Sequence, residues 1–329
     1  TGQHYNYYML FQILKDLELH NPDWNLGGVQ LNPCYRLSCI IEKFTDYYLN
    51  SNSKPGLILI FGDVDSTLAI ALCANKLKIP LGHIEAGERS GNRKMPEEIN
   101  RILVDEMADY YFCASMKASE YLRANGKNIG DNVYSVGNLM IDQLKYTLSQ
   151  ERRSPISNMS YAILTLHRQE NVDDPEKLNK FLKFIDYISA KKIQVHFPVH
   201  PRAQKNIQNE YNNIIFHSPW QYTDFIHAIK NAEFIVTDSG GIQVEASYMN
   251  IPTITLRNET EWPETAYHGS NMIIGNIDYD GVKEYLMAAI RKIIYEKKWK
   301  QSTLKDLPEY KMNAAENIVK IVKGLKYYG

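Results

Sequence analysis

The chain has 329 residues, of which 44% are hydrophobic and 23% charged, the balance of an ordinary globular protein. At roughly 100–200 residues per domain, two domains are expected. Lys plus Arg number 37 against 38 for Asp plus Glu, and a net charge of −1 argues against a nucleic-acid binder driven by counterion release. No apolar run approaches the ~20 residues that a bilayer requires, so no membrane partner is expected. The four cysteines (Cys34, Cys39, Cys73, Cys113) lack CxxC spacing. A disulfide scaffold or a cysteine zinc site is therefore not expected, and a reducing, cytoplasmic setting suits them.

From residue 57 onward, strand and helix patterns alternate. Leu57-Ile58-Leu59-Ile60-Phe61 reads as a strand ending at Gly62-Asp63, and helical spacing follows over 66–77. Residues 80–86 predict a strand closing on Glu85-Ala86-Gly87, and Pro96 opens a helix, as proline at the first helical position does. A strand over 110–114, a helix over 117–124 and a strand over 133–136 complete the first half. The polar stretch Glu151-Arg152-Arg153-Ser154-Pro155 breaks the periodicity. Strands at 162–166, 194–199, 214–216, 234–237 and 253–256 then restart the rhythm, with helices at 175–190 and 223–231 between them. One more helix is expected over 311–325. The fold class is α/β: two doubly wound, Rossmann-like domains with parallel sheets and right-handed crossovers. Ligands belong beyond the carboxyl ends of such strands.

Those ends carry the candidate chemistry. Asp63 follows the first strand, Glu85 ends the second, and Glu97 opens the next helix. Each alone reads more readily as a cap or a solvated loop residue. Gathered in one crevice, three carboxyls become acid–base groups, because neighbours drive their pKa values apart. Glu97 and Glu98 also suit a helix dipole, and Arg101, four residues after Glu97, suggests a plain salt bridge. In the second half, Asp238-Ser239-Gly240-Gly241 stands between a strand and a helix, with Ser239 as cap and glycines that let an anion approach backbone N–H groups. A tight turn would look the same. Glu245, a turn further, suits a diol such as ribose, or dipole compensation. His167-Arg168 and His200-Pro201-Arg202 are basic pairs at two further strand ends. No HExxH, Walker A or complete GxGxxG pattern occurs, so neither a metal nor another cofactor is expected.

Taken together, the chain resembles the non-hydrolysing UDP-N-acetylglucosamine 2-epimerase family. The resemblance is carried in order by Thr1-Gly2-Gln3-His4, Gly62-Asp63, His83-Ile84-Glu85-Ala86-Gly87, Pro96-Glu97-Glu98-Ile99-Asn100-Arg101, Val136-Gly137-Asn138, His167-Arg168-Gln169-Glu170-Asn171, Val199-His200-Pro201-Arg202, Thr237-Asp238-Ser239-Gly240-Gly241 and Thr260-Glu261-Trp262-Pro263-Glu264. It implies the glycosyltransferase-B architecture, two Rossmann-like domains facing a cleft. These are an N-terminal domain over 1–152, a UDP-binding domain over 153–308 and a C-terminal helix over 309–329 returning to the first. The family's first strand and its Gly-Thr-Arg-Pro-Glu phosphate loop are expected upstream of Thr1.

The resemblance also implies an isomerase interconverting UDP-GlcNAc and UDP-ManNAc. UDP is eliminated to a bound 2-acetamidoglucal and re-added, feeding polysaccharide or glycan synthesis. It assigns Asp63, Glu85, Glu97 and His167 to catalysis. Glu245 goes to ribose, Phe225 to uracil, Arg168 and Ser239–Gly241 to the phosphates, and Gln3, His4, Arg101 and His200 to the cleft. A homodimer is the expected assembly and the UDP-sugar the expected partner. Departures are Trp262 where many bacterial members have Arg, Val244 where many have Glu, and 27–36, which lacks the usual pattern. The short segment between Gly87 and Pro96 resembles archaeal epimerases. It also resembles relatives acting on UDP-diacetamido uronates or 6-deoxy sugars, so these substrates stand as the alternative. A hydrolysing epimerase or an inactive UDP-sugar binder are further alternatives.

Overall fold

A computed structural model describes residues 14–15, 19–27, 32–156, 160–189, 193–278 and 281–325. The chain divides into two compact units, Thr1–Asp142 with Pro308–Gly329, and Gln143–Leu307. The division falls within the helix Leu139–Ser149, upstream of the polar stretch at 151–155.

Among the described residues, the first unit holds a parallel sheet of β1 (Ile58–Phe61), β2 (Leu81–Ile84), β3 (Tyr110–Cys113) and β4 (Val133–Ser135), in the spatial order β1-β2-β3-β4. Ile58 pairs with Leu81, Gly82 with Tyr110 and Tyr111 with Val133. Linking helices Asp65–Leu77, Pro96–Met107 and Met116–Ala124 supply the crossovers that parallel strands require. Leu81, Phe112 and Cys113 are buried, as strands covered on both faces must be. Cys73 and Cys113 are core thiols, and none of the four cysteines is bridged. Gly87 has φ +84°, and a Cβ there would lie 2.5 Å from the Ala118 carbonyl oxygen, so only glycine fits that turn.

Two features escaped the sequence reading. A helix spans Pro33–Asn50, signalled by Asn32, whose side chain accepts from the Cys34 and Tyr35 N–H groups, and by Pro33 at the first position. The single helix expected over 311–325 is two, Pro308–Lys311 and Ala314–Gly324, because Asn313 is extended (φ −100°, ψ 91°). Asp142 accepts the Ala315 N–H at 2.8 Å and Asn317 donates to the Val136 carbonyl at 3.0 Å, which ties the last helix to the first unit.

Among the described residues, the second unit holds six parallel strands: β5 (Tyr161–Thr165), β6 (Gln194–Pro198), β7 (Ile214–His217), β8 (Phe234–Thr237), β9 (Thr253–Thr255) and β10 (Asn271–Ile273). Their order is β10-β9-β8-β5-β6-β7. The chain winds outward from β5 to β7, then returns to the centre at β8 and winds the other way. This is the doubly wound dinucleotide-fold order, and its switch point lies between β5 and β8, where Ala162 pairs with Phe234 and Thr165 with Thr237. Connections at a switch point leave in opposite directions, opening a crevice beyond the two strand ends. The residues following β5 and β8 are His167-Arg168 and Asp238-Ser239-Gly240.

Candidate active site

In the first unit, Asp63 and Glu85 are brought together. Gly62, φ +62°, ends β1 so closely that a Cβ there would lie 3.8 Å from Glu85 Oε2. Glu85 itself has φ +69°, a left-handed conformation unusual for a residue with a side chain. Burial, with the Asp63 carboxylate adding to it, pushes the Glu85 carboxyl up to about 7. Arg101 Nη2 donates to Asp63, and Nη1 donates to Glu98 at 3.1 Å. Asn100 donates to the Asp63 carbonyl at 2.8 Å. The expected Glu97–Arg101 pair does not form. Glu97 is half-buried, and its side chain makes no hydrogen bond or ion pair among the described residues. Its neighbour Glu98, about 100° around the helix, is the spent one: it accepts the Ser90 and Gly91 N–H groups at 2.9 and 3.1 Å. Burial raises its pKa, but these bonds and Arg101 outweigh that and hold it low.

Beneath these turns lies a buried polar pair that the sequence did not single out. His83 Nδ1 lies 2.6 Å from Asp105 Oδ1, and Nε2 lies 2.9 Å from the Gly62 carbonyl oxygen. Asp105 also accepts the Gly87 N–H at 3.1 Å and Arg89 Nη2 at 2.6 Å. Burial works against the Asp105 charge, yet His83 and Arg89 hold its pKa below the usual carboxylate range. His83 and Asp105 thus fasten both turns, those carrying Asp63 and Glu85. No short motif signals Asp105, which is 22 residues from His83.

In the second unit, Asp238 is the hub of the switch point. It is fully buried and accepts the His167 N–H at 3.1 Å, the Arg168 N–H at 3.0 Å and Asn171 Nδ2 at 3.1 Å. It also pairs with His167 Nδ1 at 2.9 Å. Burial raises the Asp238 pKa, but His167, the Arg168 N–H and Asn171 override it, so the carboxylate stays charged. The His167 ring lies 5.9 Å from that of His200. Burial, then the nearby His167 and Arg202, lowers the His200 pKa.

The helix Gly240–Tyr248 begins here. Ser239 occupies the cap position, but its side chain makes no capping bond, contrary to the sequence expectation, because its backbone turns on Thr237 Oγ1 instead, at 3.0 Å. No acid lies in the first turn either. The first N–H groups are thus open to an outside anion. A Cβ on Gly240 would lie 3.6 Å from both Arg257 Nη1 and Glu261 Oε2. Arg257 and Glu261 form a buried two-pronged pair at 2.8 and 2.9 Å. Arg168 approaches Glu261 at 4.0 Å, while its Nε is buried without a hydrogen-bond partner among the described residues.

Glu245 is not at the helix start; it is buried in the second turn, where Tyr222 donates to its Oε1 at 2.7 Å. Burial pushes its carboxyl up to about 7, against the Tyr222 bond. Dipole compensation therefore does not explain it. Phe225 is half-buried, 6.3 Å from the Trp220 ring. Arg202, expected beside His200, is instead held by Asp173 at 2.7 Å through both Nε and Nη2. Gln3 and His4 lie outside the described residues.

A doubly wound sheet with an uncapped helix at its switch point and a buried acid behind it places the second unit among the Rossmann-like α/β folds. The family model described as UDP-N-acetylglucosamine 2-epimerase matches residues 1–323. A "UDP-N-acetylglucosamine 2-epimerase homolog" of Methanococcus maripaludis is 35% identical over 99% of this chain and 90% of its own. The UDP-2,3-diacetamido-2,3-dideoxy-D-glucuronate 2-epimerase of Pseudomonas aeruginosa is 36% identical over 84% of this chain and 78% of its own. Among solved structures, Methanocaldococcus jannaschii UDP-GlcNAc 2-epimerase in complex with UDP-GlcNAc and UDP superimposes with TM-score 0.80 at 32% identity, covering 99% of this chain and 91% of that one. The chain belongs to the UDP-N-acetylglucosamine 2-epimerase family, a family of isomerases. Among the described residues, no helix is long and apolar enough to cross a membrane.

Proposed function

We propose that the protein is a non-hydrolysing 2-epimerase that interconverts UDP-GlcNAc and UDP-ManNAc. The observation that carries this reading is the Asp63–Glu85 pair, in which one carboxyl is pushed up to about 7 and can both take and return a proton near neutrality. The second unit binds UDP. Open N–H groups at Gly240–Gly241, with Arg168 and His167, take the diphosphate, Glu245 takes the ribose and Phe225 lines the base site. In the forward reaction the C1–O bond breaks with the electron pair leaving on UDP. The C2 proton passes to a carboxylate, and a C1=C2 double bond forms. Asp63, Glu85 and Glu97 are the acid–base groups. UDP then adds back to C1 while a proton returns to the opposite face of C2. Donors already oriented at the diphosphate stabilise its developing charge without reorganisation.

Enzyme incubated with UDP-GlcNAc in D2O should yield UDP-ManNAc carrying deuterium at C2, with only traces of free UDP, by NMR. Stoichiometric UDP and free ManNAc would establish a hydrolysing enzyme instead. Likeness to the Pseudomonas aeruginosa epimerase supports a second reading, a UDP-diacetamido uronate as substrate. A panel of UDP-sugars separates the two by kcat/KM. The expected assembly is a homodimer, checked by light scattering.

A further inference from the structure

Trp262 is anchored on both sides of its backbone. Its N–H donates to Thr260 Oγ1 at 3.0 Å, and its carbonyl accepts from the Thr265 N–H at 3.0 Å and Thr265 Oγ1 at 2.7 Å. The residue is only 7% exposed. Buried indoles usually find an acceptor for their single donor, yet this side chain makes no hydrogen bond among the described residues. Its Nε1 is not sealed off either, since it is absent from the buried unpaired atoms. The small open part of the ring therefore includes the N–H. That nitrogen stands 3.9 Å from where a Cβ on Gly240 would lie, beside the first residue of the uncapped helix Gly240–Tyr248. Indole is a donor only, so its complement is an acceptor oxygen. Arg257, 3.6 Å from the same Cβ position, is already matched by Glu261 through two bonds.

We propose that the Trp262 N–H is a binding donor for the diphosphate seated at the start of this helix. It adds a neutral, immobilised hydrogen bond to those of the backbone N–H groups. A ring fixed before binding loses little entropy when it donates. The inference takes its ligand from the nucleotide-sugar reading, but the donor's place beside the helix start does not depend on it.

The test uses the full chain with 15N-labelled tryptophan, which gives one indole signal for each of four tryptophans. The Trp262 signal is identified by its loss in Trp262→Phe. Should that variant fold poorly, single substitution of the other three identifies it by elimination. UDP and inorganic pyrophosphate are titrated separately. We expect the Trp262 indole proton to shift saturably with both, and UDP affinity to fall about tenfold or more in Trp262→Phe at an unchanged melting temperature. A shift with pyrophosphate but no binding of UDP supports the donor and defeats the nucleotide reading. Tight UDP binding with the Trp262 signal unmoved, or affinity unaltered in the variant, overturns the donor and leaves that reading standing. Failure of both anions to bind overturns both.

Discussion

In the first unit the arginines beside the candidate carboxylates are matched to acids: Arg101 to Asp63 and Glu98, Arg89 to Asp105, Arg36 to Asp65. One acid, Glu85, makes no side-chain hydrogen bond among the described residues, and burial with the Asp63 carboxylate pushes its carboxyl up to about 7. In the second unit the acids at the switch point are the matched groups. Asp238 is consumed by its own loops and Glu261 by Arg257, and what remains open is a set of donors. On the proposed reading, one parallel sheet thus supports a proton-transfer group and the other an anion receptor. The difference is which member of each polar set the fold leaves unsatisfied.

The largest expected effect tests the first half of that contrast. Glu85→Gln should lower kcat by roughly 10²–10⁴-fold with UDP affinity within about twofold of wild type, measured by turnover and calorimetry. Glu97→Gln should behave alike, because its carboxylate has no partner to lose. Glu98→Ala should instead lower the melting temperature, since it removes one of the two acids paired with Arg101 and strands the Ser90 and Gly91 N–H groups. Full turnover in both Glu85→Gln and Glu97→Gln would remove the carboxylates from the chemistry.

Next comes Glu245. Glu245→Ala should weaken UDP binding by about 10–150-fold, the worth of hydrogen bonds to a charged group. Its carboxyl has a folded pKa of about 7, above the ordinary 4.5, so the native state holds a proton that the unfolded chain has released. The stability this lends is complete below pH 4.5 and is lost as pH rises through 7. Glu245→Gln should therefore melt above the wild type at pH 8, by on the order of 1–3 kcal/mol, with the gap closing toward pH 5. A pH-independent gap would mean that the carboxyl is charged at every pH tested.

A smaller effect is expected of Tyr222→Phe, which removes the only hydrogen bond to the Glu245 carboxyl among the described residues. UDP affinity should fall roughly three- to tenfold, about one neutral hydrogen bond. Smallest is Arg202→Ala. Its pair with Asp173 is largely exposed, so stability should change by less than about 1 kcal/mol and UDP affinity not at all. A large loss of affinity would return Arg202 to the site.

The strands and the residues at their ends were legible because parallel strands read as continuous apolar runs, and their carboxyl ends are where ligands bind. Asp63, Glu85 and Ser239–Gly241 fell out of that rule. Partner choice did not. Whether Glu97 or Glu98 faces Arg101 turns on one step of helix rotation, and Arg202 finds its acid 29 residues away, at Asp173. The Asp105 support of His83 is equally non-local, and Gln3 and His4 lie outside the described residues. The Asn32-Pro33 start of the first long helix was a local signal that went unread.

The backbone of Glu85 carries an evolutionary consequence. A side chain held at φ +69° costs about 1–2 kcal/mol relative to a residue free of a Cβ. Replacement by glycine would relieve that cost and remove a buried, hard-to-ionise carboxyl at the same time. Folding alone therefore disfavours glutamate here, and on the proposed acid–base role it is selection for turnover that retains it. A lineage released from that selection would drift to Gly or Asn at position 85 while keeping His83, Asp105 and Gly87, so this one position separates working members of the lineage from retired ones.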